Sequence, residues 1–519
     1  MIDSGRVRAS LRGMAAPIAI AGAAILLTAA FHGRYGYFRD ELYYIACSNH
    51  LAFGYVDQPP LSIALLALWR VIAGDSLQAI RLISSLALGG TVILTALTAR
   101  RMGGGPFALG LSAFAVVASH EILAGGSLFT MNPIDVLFWI AALYLVVRIL
   151  SGDSPRLWIV LGVTAGLGML NKYSVGFLCA GVAGGFLLTR ARRLLLRPEP
   201  WIGLLACVLV FLPHVIWEIA HGLPTLEFMH NASQMKNAPM SPWDFIAGQF
   251  REMNYLNAPL WLLGLWYFIA HPEGKTYRPV AWMYAIVLAI MIAGNGKLYY
   301  MEASYPVLLA GGAVALERLT VRKPWRLVRG VYPVLTGIMA LVVLPLVLPV
   351  LPVDEFIAYE HALGLAPKAD ERTAVGDLPQ VYADQFGWEE FVAHVARIYG
   401  TLSADEQKQC VIFVRNYGEA GAIDFFGRRY GLPPALCAHN SYWMWGPGER
   451  TGNIAIIVGH DRALDDNLRD LRRRYQSVEP VGATSCAHCM PYENGRLLFL
   501  CRGMNTSFQA LWPAERFYI

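Results

Sequence analysis

Charge is what this chain has least of. Asp, Glu, Lys and Arg supply 15% of its 519 residues, against 56% hydrophobic residues. A water-soluble surface needs roughly a quarter of the chain charged, so a string of soluble globular domains is excluded. Internal repeats and low-complexity tracts are also absent, as is a glycine-rich phosphate loop, so a nucleotide-dependent activity lacks its usual signature. No nucleic-acid partner is expected. No small-residue cleavage site follows the first apolar run, Ala15 to Ala30, so that run reads as a retained first span.

What is present, with a mean hydropathy of +0.43, is a series of long apolar runs before about residue 351, each near the ~20 residues that a bilayer crossing needs. Spans are expected at about 14–31, 77–99, 104–120 and 133–150. Two more bracket Asn171-Lys172-Tyr173, one lies at 200–219, one ends before Lys275, two flank GNGKLYYMEASYP and the last covers 330–351. About eleven spans result, and with that count every basic cluster falls on one side. The clusters are Arg6, Arg8 and Arg12; Arg100-Arg101; Arg148 and Arg156; Arg190, Arg192, Arg193 and Arg197; Lys275 and Arg278; and Arg318, Arg322, Lys323, Arg326 and Arg329. The positive-inside rule makes that side cytoplasmic, N-terminus included.

The composition changes after residue 352. Charges become frequent, and short helical and strand-like stretches alternate: Trp388 to Tyr399, Cys410 to Val414, Ala420 to Tyr430, Asn453 to Val458 and Arg496 to Leu500. The expected architecture is therefore a polytopic α-helical membrane domain over 1–351, with a large first outer loop at 32–76, followed by an extracytoplasmic α/β domain over 352–519. Cys47, Cys179 and Cys207 read as small core residues of the membrane part. Cys410, Cys437, Cys486, Cys489 and Cys501 lie where oxidation is permitted; Cys486-Ala-His-Cys489 has the spacing of a redox or zinc half-site, and a structural disulfide is expected there ahead of metal. Asn231 and Asn505 head potential glycosylation sequons.

The stretch FHGRYGYFRDELYYIACSNHLAFGYVDQPPL, Phe31 to Leu61, is the centre of the functional reading. Asp40, Glu41 and Asp57 are carboxylates at the mouth of the bilayer, where they are costly unless paired or used. Tyr35, Tyr37, Tyr43, Tyr44 and Tyr55 are expected at the water–lipid boundary, on a short interfacial helix from Asp40 to Leu51 and in its flanks. A second amphipathic run, about 60–73, is expected against the outer surface. Arg81 just inside its span, Lys172 directly after one, and Lys297 with Tyr299 and Tyr300 before another are membrane-edge cations. Snorkelling explains any one of them, but three beside three carboxylates fit a site that holds a phosphate and activates a nucleophile.

These residues resemble a known group. Asp40-Glu41 at the start of a large first outer loop, GYVDQPPL, Arg81-Leu82, GMLNKYS and GKLYYMEASYP are together similar to motifs of the protein O-mannosyltransferases and aminoarabinose transferases (glycosyltransferase families 39 and 83). The likeness covers most of residues 30–315. The resemblance implies a GT-C fold in the cell (inner or plasma) membrane. It also implies an inverting transfer from a polyprenyl-phosphate sugar to a hydroxyl or phosphate acceptor on protein, lipid or glycan. Asp40 would be the base and Glu41 would orient base or acceptor. Asp57, Gln58, Arg81, Lys172, Lys297, Tyr299 and Tyr300 would serve the donor and its phosphate. Asp57 would bind either a divalent ion or a sugar hydroxyl. One departure stands out: Gln58 occupies a position that is often basic in the group, which would move the phosphate role to Lys172, Lys297 or Arg81.

Two other classes fit a polytopic chain. A secondary transporter should carry ionisable groups near mid-membrane in repeated halves, whereas here they gather at one edge. A non-catalytic assembly or sensor protein would work through its outer domain and tolerate loss of Asp40.

Overall fold

The computed structural model describes residues 4–321, 325–367, 371–460 and 463–519, with side chains from residue 13 onward. Arg322 and Lys323 of the last basic cluster, and the side chains of Arg6, Arg8 and Arg12, lie outside the described residues. The chain forms two compact units. The first takes the chain to Arg34, Ala73–Trp217 and Pro239–Phe356; the second takes Tyr35–Ile72, Glu218–Ala238 and Ile357–Ile519. The last segment of the second unit begins close to the composition change at 352. Two insertions from the membrane part of the sequence join it.

The first unit is helical. Among the described residues, six helices are long and apolar enough to cross a bilayer: Gly13–Phe31, Leu77–Arg101, Met131–Leu150, Pro198–Ala220, Gly274–Ala293 and Val328–Val347. A seventh crossing arises if Ser174–Leu187 and Arg190–Leu196, bent by 107°, count as one. The other expected spans coincide with helices of 12 to 15 residues, Pro106–Val117, Leu157–Asn171, Ala258–Ile269 and Tyr305–Leu319. At about 1.5 Å per residue these are shorter than a straight crossing. Only 6% of the apolar window of Val328–Val347 is buried in protein, so its surface suits lipid. Glycine sets the closest packing: a Cβ on Gly264 would lie 2.1 Å from the Leu308 carbonyl oxygen, and one on Gly312 1.9 Å from that of Leu260. Helices Ala258–Ile269 and Tyr305–Leu319 approach this closely because both positions lack a side chain. The chain is a multi-pass membrane protein.

The second unit carries a five-stranded sheet: β1 (Cys410–Val414), β2 (Leu436–Cys437), β3 (Ile454–Val458), β4 (Tyr475–Ala483) and β5 (Leu497–Met504), in the order β2-β1-β3-β5-β4. β1 is parallel to β2 and β3, while β5 is antiparallel to β3 and β4. β1 and β3 are buried throughout, which is why they read as continuous apolar runs. β4 escapes a sequence reading because it is a polar edge strand, largely exposed, with a register shift between Pro480 and Gly482. The helix expected at 420–430 runs from Tyr417 to Phe426 instead. Asn416 starts it by accepting from the Gly418 and Glu419 amides, and Gly427–Tyr430 tightens into a 3-10 turn.

The first-loop helix is present, over Arg39–Asn49, but it does not lie along a lipid boundary. Every residue from Glu41 to Ser48 is buried. It packs on the helix Tyr417–Phe426, where a Cβ on Gly421 would lie 2.8 Å from the Leu42 carbonyl oxygen. Tyr35, Tyr43, Tyr44 and Tyr55 are likewise buried in the protein. An apolar ring with a polar tip suits a protein core with hydrogen-bond partners as well as it suits an interface, and here the core takes it. All eight cysteines are free thiols, so the disulfide expected at Cys486 and Cys489 is not closed.

Candidate active site

In the second unit, Asp40 occupies the first turn of the helix Arg39–Asn49, where free backbone N–H groups favour a carboxylate. Its side chain remains 31% exposed. Tyr417 Oη donates to Asp40 Oδ1 at 2.9 Å, and Arg39 Nε lies 3.6 Å from the same oxygen. Arg39 is itself held. Its backbone N–H donates to the Asp384 carbonyl at 3.0 Å, its Nη1 to Tyr492 Oη at 2.5 Å, and its Nη2 lies 3.7 Å from Asp384 Oδ2. Tyr492 in turn donates to Asp384 Oδ1 at 3.0 Å. Glu41 is fully buried, and its Oε2 accepts the Phe38 N–H at 2.8 Å. It closes the helix N-terminus rather than facing the same space as Asp40, as two adjacent helical positions about 100° apart require.

Asp57 and Gln58 lie in the turn after this helix. Tyr43 Oη donates to Asp57 Oδ1 at 2.8 Å and stands 2.8 Å from Ser441 Oγ. Asp57 keeps a small accessible edge but is surrounded by protein, and burial pushes its carboxyl up to about 6, partly offset by the Tyr43 hydrogen bond. Gln58 is buried, with its side chain beside the Cys47 thiol. Among the described residues no group of three or more His, Cys, Asp or Glu side chains is gathered for a metal.

A cavity of about 780 Å³ opens in the same unit, with Arg39, Tyr417 and Tyr492 in its wall. Six of its lining residues are cationic, Arg39, Lys236, Arg372, Arg415, Arg496 and Arg516, against the carboxylates Glu371 and Glu515. Lys236 and Glu371 pair at 3.4 Å. His439, also in the wall, is driven down to about 3 by burial and is therefore neutral. Arg39, Arg496 and Arg516 also pair with carboxylates outside the lining, Asp384 at 3.7 Å, Glu419 at 3.4 Å and Glu227 at 3.2 Å.

The remaining expected site residues belong to the first unit. Lys172 is buried, donates to Asn132 Oδ1 at 2.8 Å and lies 3.7 Å from Asp135 Oδ2. Its ammonium sits over the rings of Tyr299 and Tyr300, 5.3 and 5.2 Å from their centroids. The expected grouping of Lys172 with the two tyrosines is thus a contact, though the lysine brings its own counter-charge. Lys297 precedes them as the N-cap of the 3-10 helix Leu298–Ser304 and is half-buried. Arg81 is buried, its Nη1 donating to the His32 carbonyl at 2.5 Å. Sequence reasoning missed Asp135 and the buried Glu302, although a carboxylate within an apolar run was the signal to follow. It also missed Tyr417, Asp384 and Tyr492, for which no local signal exists.

Comparison with known proteins returns the group that the motifs resemble. Residues 57–217 match the dolichyl-phosphate-mannose-protein mannosyltransferase family. Lipid A galacturonosyltransferase RgtD of Rhizobium johnstonii is 24% identical over 294 residues, 56% of this chain and 62% of that protein. An undecaprenyl phosphate-alpha-4-amino-4-deoxy-L-arabinose arabinosyl transferase of Pseudomonas fluorescens is 25% identical over 334 residues, 60% of this chain and 58% of its own length. The chain thus spans about six-tenths of the curated relatives it matches. The structure of ArnT from Cupriavidus metallidurans bound to undecaprenyl phosphate superposes with a TM-score of 0.60 at 14% identity, covering 93% of this chain and 97% of that one. Its apo form gives 0.58 at 15% identity. The chain therefore has the GT-C type fold of ArnT, with a small sheet domain following the membrane helices.

Proposed function

We propose that this chain is an integral-membrane glycosyltransferase that moves a sugar from a polyprenyl phosphate to an acceptor on a lipid or glycan, with inversion. The observation that carries the reading is Asp40: a carboxylate at a helix N-terminus, gripped by Tyr417 and Arg39, two residues that line a cavity rich in cations, in the fold of ArnT. Asp40 takes the proton of the acceptor hydroxyl as its oxygen bonds to the anomeric carbon, while the bond to the phosphate oxygen breaks. The leaving polyprenyl phosphate needs only cations to balance its charge. Asp57 and the amide of Gln58 hydrogen-bond sugar hydroxyls. Six cationic side chains in the cavity suit an acceptor bearing phosphate or carboxylate.

The extracytoplasmic side follows from the basic clusters. Reporters fused after Arg101, Arg193 and Arg326 should register in the cytoplasm and one after Asp354 outside, and an inside signal at Asp354 would reverse the assignment. The deciding experiment is transfer by purified Asp40→Asn from a lipid-linked sugar, with donor binding measured separately. Turnover should fall by roughly 10²–10⁴-fold, the usual worth of a general base, with donor binding retained. Transfer near the parent rate would sink the mechanism.

A further inference from the structure

The loop between β4 and β5 carries a pair of cysteines that the transfer reaction leaves unused. Their geometry is that of a CxxC turn. The Cys489 N–H donates to Cys486 Sγ at 3.1 Å, and the Cys489 thiol donates to the Cys486 carbonyl at 3.9 Å. Cys486 is half-buried with an accessible edge, while Cys489 is buried behind it. The turn is pinned at its ends. Cys486 N–H donates to Asn494 Oδ1 at 3.1 Å, Thr484 Oγ1 donates to the Glu493 carbonyl at 2.7 Å, and the Arg496 N–H donates back to Thr484 Oγ1 at 2.8 Å. Gly387 packs against both cysteines. A Cβ there would stand 2.9 Å from Cys486 Sγ and 3.2 Å from Cys489 Cβ, and its φ of +88° is itself one that side chains avoid.

The electrostatics separate the two sulfurs. The hydrogen bond from Cys489, with help from the backbone amides of His488 and Cys489, brings the Cys486 thiol down to about 7, whereas Cys489 is pushed far up. One partly accessible thiolate beside a buried thiol is the arrangement that exchanges with an external disulfide. The same loop reaches the candidate active site. Tyr492, three positions after Cys489, accepts from Arg39 and donates to Asp384, and Arg39 flanks Asp40.

We propose that Cys486 and Cys489 are a reversible thiol–disulfide exchange site for low-molecular-weight disulfides, whose state is felt at Arg39–Asp40 through Tyr492. This goes beyond a fixed structural disulfide. The Cys486 thiolate attacks one sulfur of the incoming disulfide, whose S–S bond breaks, and the released thiolate takes up a proton. The Cys489 sulfur, giving its proton to solvent, then attacks Cys486 and expels the second thiol. Two protein thiols are oxidised by two electrons, and one external disulfide is reduced to two thiols.

The test uses the full chain in detergent, equilibrated with mixtures of oxidised and reduced glutathione, acid-quenched, unfolded and alkylated with maleimide. Peptide mass spectrometry should find the Cys486–Cys489 peptide about 2 Da lighter and unlabelled at oxidising ratios, and doubly labelled at reducing ones. Cys489→Ser should hold one glutathione on Cys486, forming it at least roughly tenfold faster than Cys486→Ser forms one on Cys489. Double labelling at every ratio, or equal trapping by the two variants, would overturn the exchange site. Coupling is read by hydrogen exchange in the peptide spanning Phe38–Leu42, which should differ between oxidised and reduced parent protein. Identical uptake would overturn the coupling. The link to catalysis rests on the proposed function, but neither readout requires sugar transfer, so failure of one is distinguishable from failure of the other.

Discussion

Tyr417 donates its hydroxyl to Asp40 at 2.9 Å, joining residues 377 positions apart. The bond fixes one oxygen of the proposed base and leaves the other for an acceptor. Tyr417→Phe removes the donor and keeps the ring, which also stacks near Tyr43 at 4.6 Å. A hydrogen bond to a charged group is worth about 1.5–3 kcal/mol, so turnover should drop at least roughly tenfold with donor KM unchanged. Tyr417→Phe added to Asp40→Asn should cost little more, because the two act as a unit. Additive losses in steady-state kinetics would separate them.

Asp57 sets a pH dependence. Its carboxyl is held near 6 by burial, so it loses its charge as pH falls through that value. If the anion is what binds the sugar, transfer should show an acid limb near pH 6. The Tyr43 hydrogen bond favours the anion, so Tyr43→Phe raises the carboxyl further and moves the limb to higher pH. Asp57→Asn should erase it. A limb that persists in Asp57→Asn belongs to another group.

The two lysines should separate by assay. Lys172→Met leaves the buried Asp135 carboxylate without its partner at 3.7 Å, an imbalance that costs about 3–5 kcal/mol in comparable buried pairs. Thermal stability should fall, and Asp135→Asn in the same chain should restore much of it. Lys297→Met should raise the donor KM. Full turnover by Lys297→Met at limiting donor would make this lysine merely interfacial.

Glu41 is expected to act through the fold. Its carboxylate accepts the Phe38 amide at the helix start, so Glu41→Ala should lower stability by about 1 kcal/mol in a thermal-shift measurement. Glu41→Gln keeps an acceptor oxygen and should cost less. A large loss of turnover in Glu41→Gln at unchanged stability would instead assign it to the acceptor.

How much of this was written in the sequence varies from residue to residue. The membrane helices were legible because a bilayer demands long apolar runs. β1 and β3 were legible because strands buried on both faces are continuously hydrophobic. Asp40 and Lys172 stood out because charge is conspicuous beside apolar segments. Residues that depend on chain closure were not legible. Tyr417, Asp384 and Tyr492 look like ordinary residues of a distant segment until folding brings them to Arg39 and Asp40. Tyr43 and Tyr55 have the same composition whether they face lipid or lie in a core, so only packing decided that they are buried. β4 paired without an apolar pattern because an edge strand needs backbone hydrogen bonds more than buried side chains. The sequence by itself determined which segments bury apolar surface, a property carried by near neighbours in the chain. Tertiary structure alone decided which polar groups meet, since a hydrogen bond or ion pair forms only where remote segments converge with their donors and acceptors aligned.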